Sequence, residues 1–203
     1  MSKQQIVIIH GGETFDSNEE YRASLATKTI SLERLRSSKD WKDALPEALG
    51  DSYDVLAPRM PNASNAQYDE WALWFSRILP LLNDNLMLIG HSLGGIFLVR
   101  YLGENDIDRT ISKTILIAPP FNDTPEESLA SFHLPDDPTE MLQQFATQAG
   151  EVHLFHSTDD PVVPYADALQ YKKVLPSATI HTFEDRKHFN IEDFPELLAV
   201  LHS

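Results

Sequence analysis

Residues 86 to 102 restrict the fold more than any other stretch. Leu86-Met87-Leu88-Ile89 is an apolar run of the length of a buried strand. Gly90-His91-Ser92-Leu93-Gly94-Gly95 interrupts it, and Ile96 to Leu102 resumes with the apolar character of a buried helix. A strand, a Gly-x-Ser-x-Gly turn and a helix together hold a serine in a strained backbone at the tip of the strand. Glycine is required at positions 90 and 94 because side chains there would collide with neighbouring backbone. The turn also sets the Ser92 hydroxyl at a helix N-terminus, where free N–H groups and the helix dipole favour developing negative charge. The five-residue pattern is common by itself, and its weight comes from its flanking strand and helix and from an Asp and a His later in the chain.

Taken in order, the chain alternates strand and helix about six times. Ile6-Val7-Ile8-Ile9 reads as a buried parallel strand ending in His10-Gly11-Gly12. Residues 13 to 39 are polar and irregular, with one helix expected from Asn18 to about Ala26 and another over residues 32 to 36. Asp40 is placed to cap a helix through Trp41 and Leu45. A strand over residues 53 to 57 follows. Trp71, Trp74, Phe75, Ile78, Leu81 and Leu82 then recur at helical spacing within residues 66 to 82, a stripe that reads as core. Strands are expected over 86–89, 113–118, 152–156 and 178–183, and helices over 93–103, 139–149, 165–174 and 191–201. Residues 121 to 138 are acidic and punctuated by proline. The alternation predicts an α/β fold, a three-layer α/β/α sandwich on a mainly parallel sheet of about six strands. In such sheets, sites form outside the carboxyl ends of the strands. The loops after strands one, three, five and six all fall at that edge.

The 203 residues predict one domain spanning 1–203, with 13–39 and 121–138 as lid or cover segments, and 42% hydrophobic content suffices for its core. A net charge of −15 argues against nucleic acid and anionic membranes as partners. Cysteine is absent, which removes disulfides, thiol nucleophiles and thiolate metal sites, and fits a cytoplasmic protein. No apolar run has the length of a signal-peptide core or a membrane span. The histidines show no paired ligand spacing and the acids no calcium-loop pattern, so neither a metal nor a cofactor is expected.

A serine hydroxyl needs a base to take its proton and an acid to orient that base. Of the eight histidines, His10 ends strand one, His91 adjoins Ser92 but should point away from it, and His153 and His181 lie within strands. His156 ends a strand and stays open as a candidate. His133 sits in the acidic segment and His202 near the end of the chain. His188 alone lies between the last strand and the last helix, where it can reach back over the sheet edge. The orienting acid belongs between Ser92 and His188 at a strand end, where Asp159 and Asp160 both qualify. Asp160 is preferred because Pro161 biases its backbone to an extended form. For the oxyanion, the backbone N–H of Leu93 is one donor, and the second is expected from Gly12 or Glu13. A Glu13 side chain facing the oxyanion would oppose catalysis.

With these residues in place, the chain resembles the α/β-hydrolase superfamily. The resemblance rests on His10-Gly11, Gly90-His91-Ser92-Leu93-Gly94-Gly95, Asp159-Asp160-Pro161-Val162-Val163-Pro164 and Asp185-Arg186-Lys187-His188-Phe189. More narrowly it resembles the small retinoblastoma-binding serine hydrolases, through its length, the Trp41 helix, Ala118-Pro119-Pro120 and Ser157-Thr158-Asp159-Asp160-Pro161. The resemblance implies a minimal α/β-hydrolase fold and a Ser92-His188-Asp160 triad acting on a small carboxylic ester or related acyl bond. The segment from Glu13 to Lys39 is longer than that group leads one to expect. Phe15, Phe121 and Phe132 are candidates for an apolar acyl pocket or for packing. The same triad also suits acyl transfer, perhydrolysis or amide cleavage. A non-catalytic binding protein on a hydrolase fold is the competing expectation, motivated by Glu13 and the acidic loops.

Overall fold

The computed structural model describes residues 3–32, 35–36, 39–124 and 128–203. Among these, six strands form one parallel sheet in the order β2-β1-β3-β4-β5-β6, with β1 at Gln4–Ile9, β2 at Tyr53–Leu56, β3 at Leu86–His91, β4 at Ile111–Ile117, β5 at Glu151–Ser157 and β6 at Thr179–Phe183. The helices are α1 Asn18–Thr27, α2 Trp41–Leu49, α3 Tyr68–Ile78, α4 Leu93–Glu104, α5 Thr139–Gln148, α6 Tyr165–Val174 and α7 Pro195–His202. The expected α/β/α sandwich is the observed fold. No helix among the described residues is long and apolar enough to cross a membrane.

The layers follow from the two-residue period of the strands. In β1, Val7 and Ile9 face one core together with Trp71 and Phe75 of α3, Phe97 of α4, Phe145 of α5 and Tyr171 of α6. Ile6 and Ile8 face the opposite core with Trp41 and Leu45 of α2 and Leu197 and Leu201 of α7. Helix α4 is buried almost all round, as its sequence requires: Ile96, Phe97, Leu98, Val99 and Leu102 are fully inaccessible. It lies centrally and leads directly out of β3.

Helix ends obey local chemistry. Asp40 caps α2 and shares a capping box with Asp43. Ser17 caps α1, which buries no residue and stands outside both cores. The last helix begins at Pro195 rather than near 191, because proline suits the first turn of a helix and biases the preceding Phe194 away from helical backbone. The stripe expected over 66–82 is only partly core. Trp71 and Phe75 are inaccessible, whereas Trp74 and Leu81 are exposed at 41% and 79%. Helix α3 ends at Ile78 and a 3-10 turn through Pro80 rotates Leu81 outward. The helix expected over 32–36 lies partly outside the described residues.

Strand order reverses direction between β1 and β3, because the chain runs outward to β2 before returning to β3. A crevice opens at such a reversal, at the carboxyl ends of the strands. The β1 loop carrying Gly11 and Gly12 therefore lies beside the end of β3. A Cβ built on Gly11 would stand 3.2 Å from the Cβ of Ser92.

Candidate active site

Ser92 occupies the turn between β3 and α4 at φ 55° and ψ −123°. A non-glycine residue in this conformation costs about 1–3 kcal/mol and persists only where its surroundings enforce it. Here the Ser92 N–H donates to the Ile117 carbonyl at 2.8 Å, and the Ser92 carbonyl accepts from Gly95 N–H at 2.8 Å. Close packing completes the restraint. A Cβ on Gly94 would lie 2.2 Å from the carbonyl oxygen of Ile9, and one on Gly90 2.5 Å from the carbonyl oxygen of Gly94.

The ends of β5 and β6 bring Asp160 and His188 together. His188 Nδ1 lies 2.9 Å from Asp160 Oδ2 and 3.1 Å from Oδ1. The Asp160 side chain is wholly buried, and its Oδ1 also accepts from the N–H groups of Val162 and Val163 at 2.8 and 3.1 Å. The Asp160-Pro161 turn thus supplies its own carboxylate with two donors. With Nδ1 engaged, the accepting nitrogen of His188 is Nε2. Among the described residues, no hydrogen bond joins Ser92 to His188. The His188 ring lies 5.1 Å, centroid to centroid, from that of His91, the residue before Ser92. Catalytic hydrogen bonds are often long until substrate is present.

Asp159, the other candidate acid, does something different. Its Oδ1 accepts from Ser157 Oγ at 2.6 Å and from Lys187 N–H at 2.8 Å. The Ser157 hydroxyl, with its backbone bonds, holds the Asp159 carboxyl below its usual range. Asp159 therefore ties the end of β5 to the loop that carries His188. His156, also open as a candidate, is buried with its Nε2 4.0 Å from Asp160 Oδ2: that nitrogen donates to Val163 O at 2.9 Å, and burial pushes its pKa down. Among the described residues, no hydrogen bond joins it to Ser92. His10 shapes the β1 loop. Met60 N–H donates to its Nε2 at 2.9 Å, so its Nδ1 carries the proton and donates to Gly11 O at 2.6 Å.

Leu93 is the first residue of α4, and neither its N–H nor that of Gly12 has a partner among the described residues. Glu13 is otherwise employed. Its N–H donates to Ala63 O at 2.8 Å, its carbonyl accepts from Ala66 N–H at 2.8 Å, and its carboxylate pairs with Lys28. This removes Glu13 from the two positions considered for a second oxyanion donor.

A cleft of about 510 Å³ opens at Ser92 and Leu93. Phe15 and Asp16 line it from the segment after β1, and Asn122 and Leu129 from the segment after β4. The two segments are joined to each other: Thr14 Oγ1 donates to Ser128 O, and Ser128 Oγ donates to Asp16 Oδ1 at 3.1 Å. Of the three phenylalanines considered for an acyl pocket, only Phe15 reaches the cleft. Phe132 is inaccessible in the core, and Phe121 packs edge-on against Tyr171. No group of three metal-ligating side chains occurs among the described residues.

Two residues at the site escaped the sequence reading. The Trp41 indole donates to Phe189 O at 3.1 Å, and His91 Nε2 donates to His188 O at 2.9 Å. Periodicity marks Trp41 only as apolar, and adjacency to Ser92 marks His91 only as part of a turn.

Comparison with known proteins gives the family and the fold. The chain is 26% identical over 151 residues to serine hydrolase RBBP9 of Rattus norvegicus, covering 74% of this chain and 77% of that protein. Among solved structures, the ydeN gene product of B. subtilis superposes with a TM-score of 0.73 at 20% identity, covering 98% of this chain and 97% of the other. An esterase from Exiguobacterium antarcticum superposes with a TM-score of 0.58 at 14% identity, covering 100% and 92%. These two show the shared α/β-hydrolase fold. The serine hydrolase family model matches residues 34–201, from ahead of α2 to the last helix and including Ser92, Asp160 and His188, and the chain belongs to that family.

Proposed function

We propose that this serine hydrolase cleaves a small carboxylic ester through an acyl-enzyme on Ser92. The observation that carries the reading is the bond from His188 Nδ1 to the buried Asp160 carboxylate. It fixes the tautomer in which Nε2 has a lone pair to accept a proton. In the first step the Ser92 hydroxyl oxygen attacks the substrate carbonyl, and its proton passes to His188 Nε2. The imidazolium so formed is stabilised by Asp160. The tetrahedral oxyanion accepts from the Leu93 and Gly12 N–H groups, at the positive end of α4. As the carbon–oxygen bond to the alcohol breaks, His188 returns the proton to the leaving oxygen. Water, deprotonated by His188, then attacks the acyl carbonyl. The acid product leaves and Ser92 recovers its proton.

The cleft supports a short acyl group. Its wall includes Thr14, Asp16, Asn122 and Asp123, whereas Phe132 is inaccessible in the core and the partly buried Phe121 packs against that core. The segments 13–39 and 121–138 act in this reading as covers over one domain. The pairing of Glu13 with Lys28 takes away a main motive for a purely binding role. The test is a series of p-nitrophenyl esters of graded acyl length, with labelling of Ser92 by a fluorophosphonate. Turnover and labelling that both vanish in Ser92→Ala are expected, with acetate and butyrate ahead of long chains. A folded protein that neither labels nor turns over any ester refutes the reading.

A further inference from the structure

The loop Arg186-Lys187-His188-Phe189 is held on both sides by groups outside it. Lys187 and Phe189, flanking His188, adopt positive φ of 48° and 56°. Two such non-glycine residues in succession around one position require external restraint. At one end, Arg186 N–H donates to Ser157 Oγ at 3.1 Å and Lys187 N–H to Asp159 Oδ1 at 2.8 Å. At the other, the carbonyls of His188 and Phe189 accept from His91 and Trp41. Of these donors, His91 has a special place in the chain. Its backbone precedes Ser92 in the turn, while its side chain grips the backbone of His188.

We infer that His91 is a positioning residue, whose Nε2–H bond to the His188 carbonyl sets the distance between the base and the nucleophile. The inference rests on reading Ser92 and His188 as nucleophile and base. The geometry favours it in three ways. His91 is buried at 5% exposure, so its hydrogen bond is shielded from water. Its ring stands edge-on to Trp41 at 6.2 Å, which limits its rotation. Its neutral form is enforced by burial first, and then by the charges of Lys42, His188 and His10 around it. A neutral His91 with Nε2 protonated is a donor at the required atom and adds no charge beside the imidazolium that His188 becomes.

Two variants of nearly equal shape separate positioning from packing. His91→Gln keeps a side-chain N–H near the position of Nε2, and His91→Met removes it. Hydrolysis of p-nitrophenyl acetate and the rate of fluorophosphonate labelling are measured for both, with circular dichroism melts. His91→Met is expected to lower kcat by about 10- to 100-fold, the scale of a misplaced catalytic group, with KM within about twofold. His91→Gln is expected to recover most of kcat and of the labelling rate. If the methionine variant does not fold, His91→Leu takes its place. Should neither fold, His91→Asn, whose amide stops short of the carbonyl, is compared with His91→Gln. Equal kcat in the donor and donor-lacking variants, or wild-type kcat without the donor, overturns the inference. His188→Ala separates the premises: if it retains wild-type turnover, the assignment of the base has failed rather than the role of His91 alone.

Discussion

Asp160 presents both carboxylate oxygens to His188 Nδ1, at 2.9 and 3.1 Å, with no part of its side chain exposed to water. Two valine N–H groups of its own turn hold the carboxylate in place. Asp159, one residue earlier, binds Ser157 and Lys187 instead. Asp160→Asn turns an amide towards groups that need an acceptor and disfavours the productive tautomer. It is expected to lower kcat by roughly 10³ to 10⁴. Asp159→Asn retains an acceptor oxygen and should lose far less. Steady-state kinetics of the two variants checks this, and the reverse order would reassign the acid.

Gly94→Ala should be among the most damaging single substitutions in the protein. The new methyl group would meet the Ile9 carbonyl oxygen at 2.2 Å, a backbone atom with no flexible side chain to yield. Overpacking of this kind costs about 1–3 kcal/mol, occasionally more. Urea denaturation is expected to show a loss at or above the upper end of that range, together with lost Ser92 labelling.

Acid should destabilise the protein through its buried and half-buried histidines. Burial drives the pKa of His91 down to about 3, and those of His156, His153 and His181 are lowered mainly for the same reason. In the unfolded chain these rings take up protons near about pH 6.5. The folded state refuses them, so its stability is full above that pH and falls as pH drops. A fully buried ring such as His91 steepens the fall by up to about 1.4 kcal/mol per pH unit, and the half-buried His153 and His181 by less. His91→Gln removes one of them. Its stability should therefore change less between about pH 6.5 and pH 4 than that of the wild type, as thermal melts across the range will reveal.

The segment after β4 carries a contact with the opposite pH sense. His133 Nε2 meets the Asp123 carboxylate at 2.7 and 2.8 Å. Burial opposes charge on His133, but its hydrogen bonds to Asp123 and to Ala130 O, and the Asp123 charge, outweigh it and raise its pKa. The stabilisation is fully present below the unfolded histidine pKa and is lost as pH rises through the raised one. For Asp123, burial is likewise outweighed, by Leu129 N–H and His133, and its pKa is lowered. Its share is lost only as pH falls through that lowered value. Limited proteolysis within 121–138 should accelerate in His133→Asn at about pH 6, with the difference from wild type shrinking towards about pH 9.

Local chemistry made much of this protein readable in its sequence. Short apolar runs, capping residues and helical spacing specify the alternating strands and helices, because each signal is complete within a few residues. The parallel sheet follows from that alternation, and with it the edge where Ser92, Asp160 and His188 lie. Phe121 and Phe132 were ambiguous because an apolar side chain fits a core and a pocket equally well. Only packing against Tyr171, Tyr68 and Trp71 turned them inward. Asp159 and Asp160 are the same residue type one position apart. Which of them meets His188 depends on a loop 28 residues away, and the β5–β6 register sets that loop. Glu13 looked like an obstacle to catalysis until Lys28 and the 63–66 turn claimed its side chain and backbone. Residues 86 to 102 alone determine that Ser92 stands at a strained strand tip. The grip of His91 on His188 spans 97 residues of chain, and only tertiary structure brings those two backbones within one hydrogen bond.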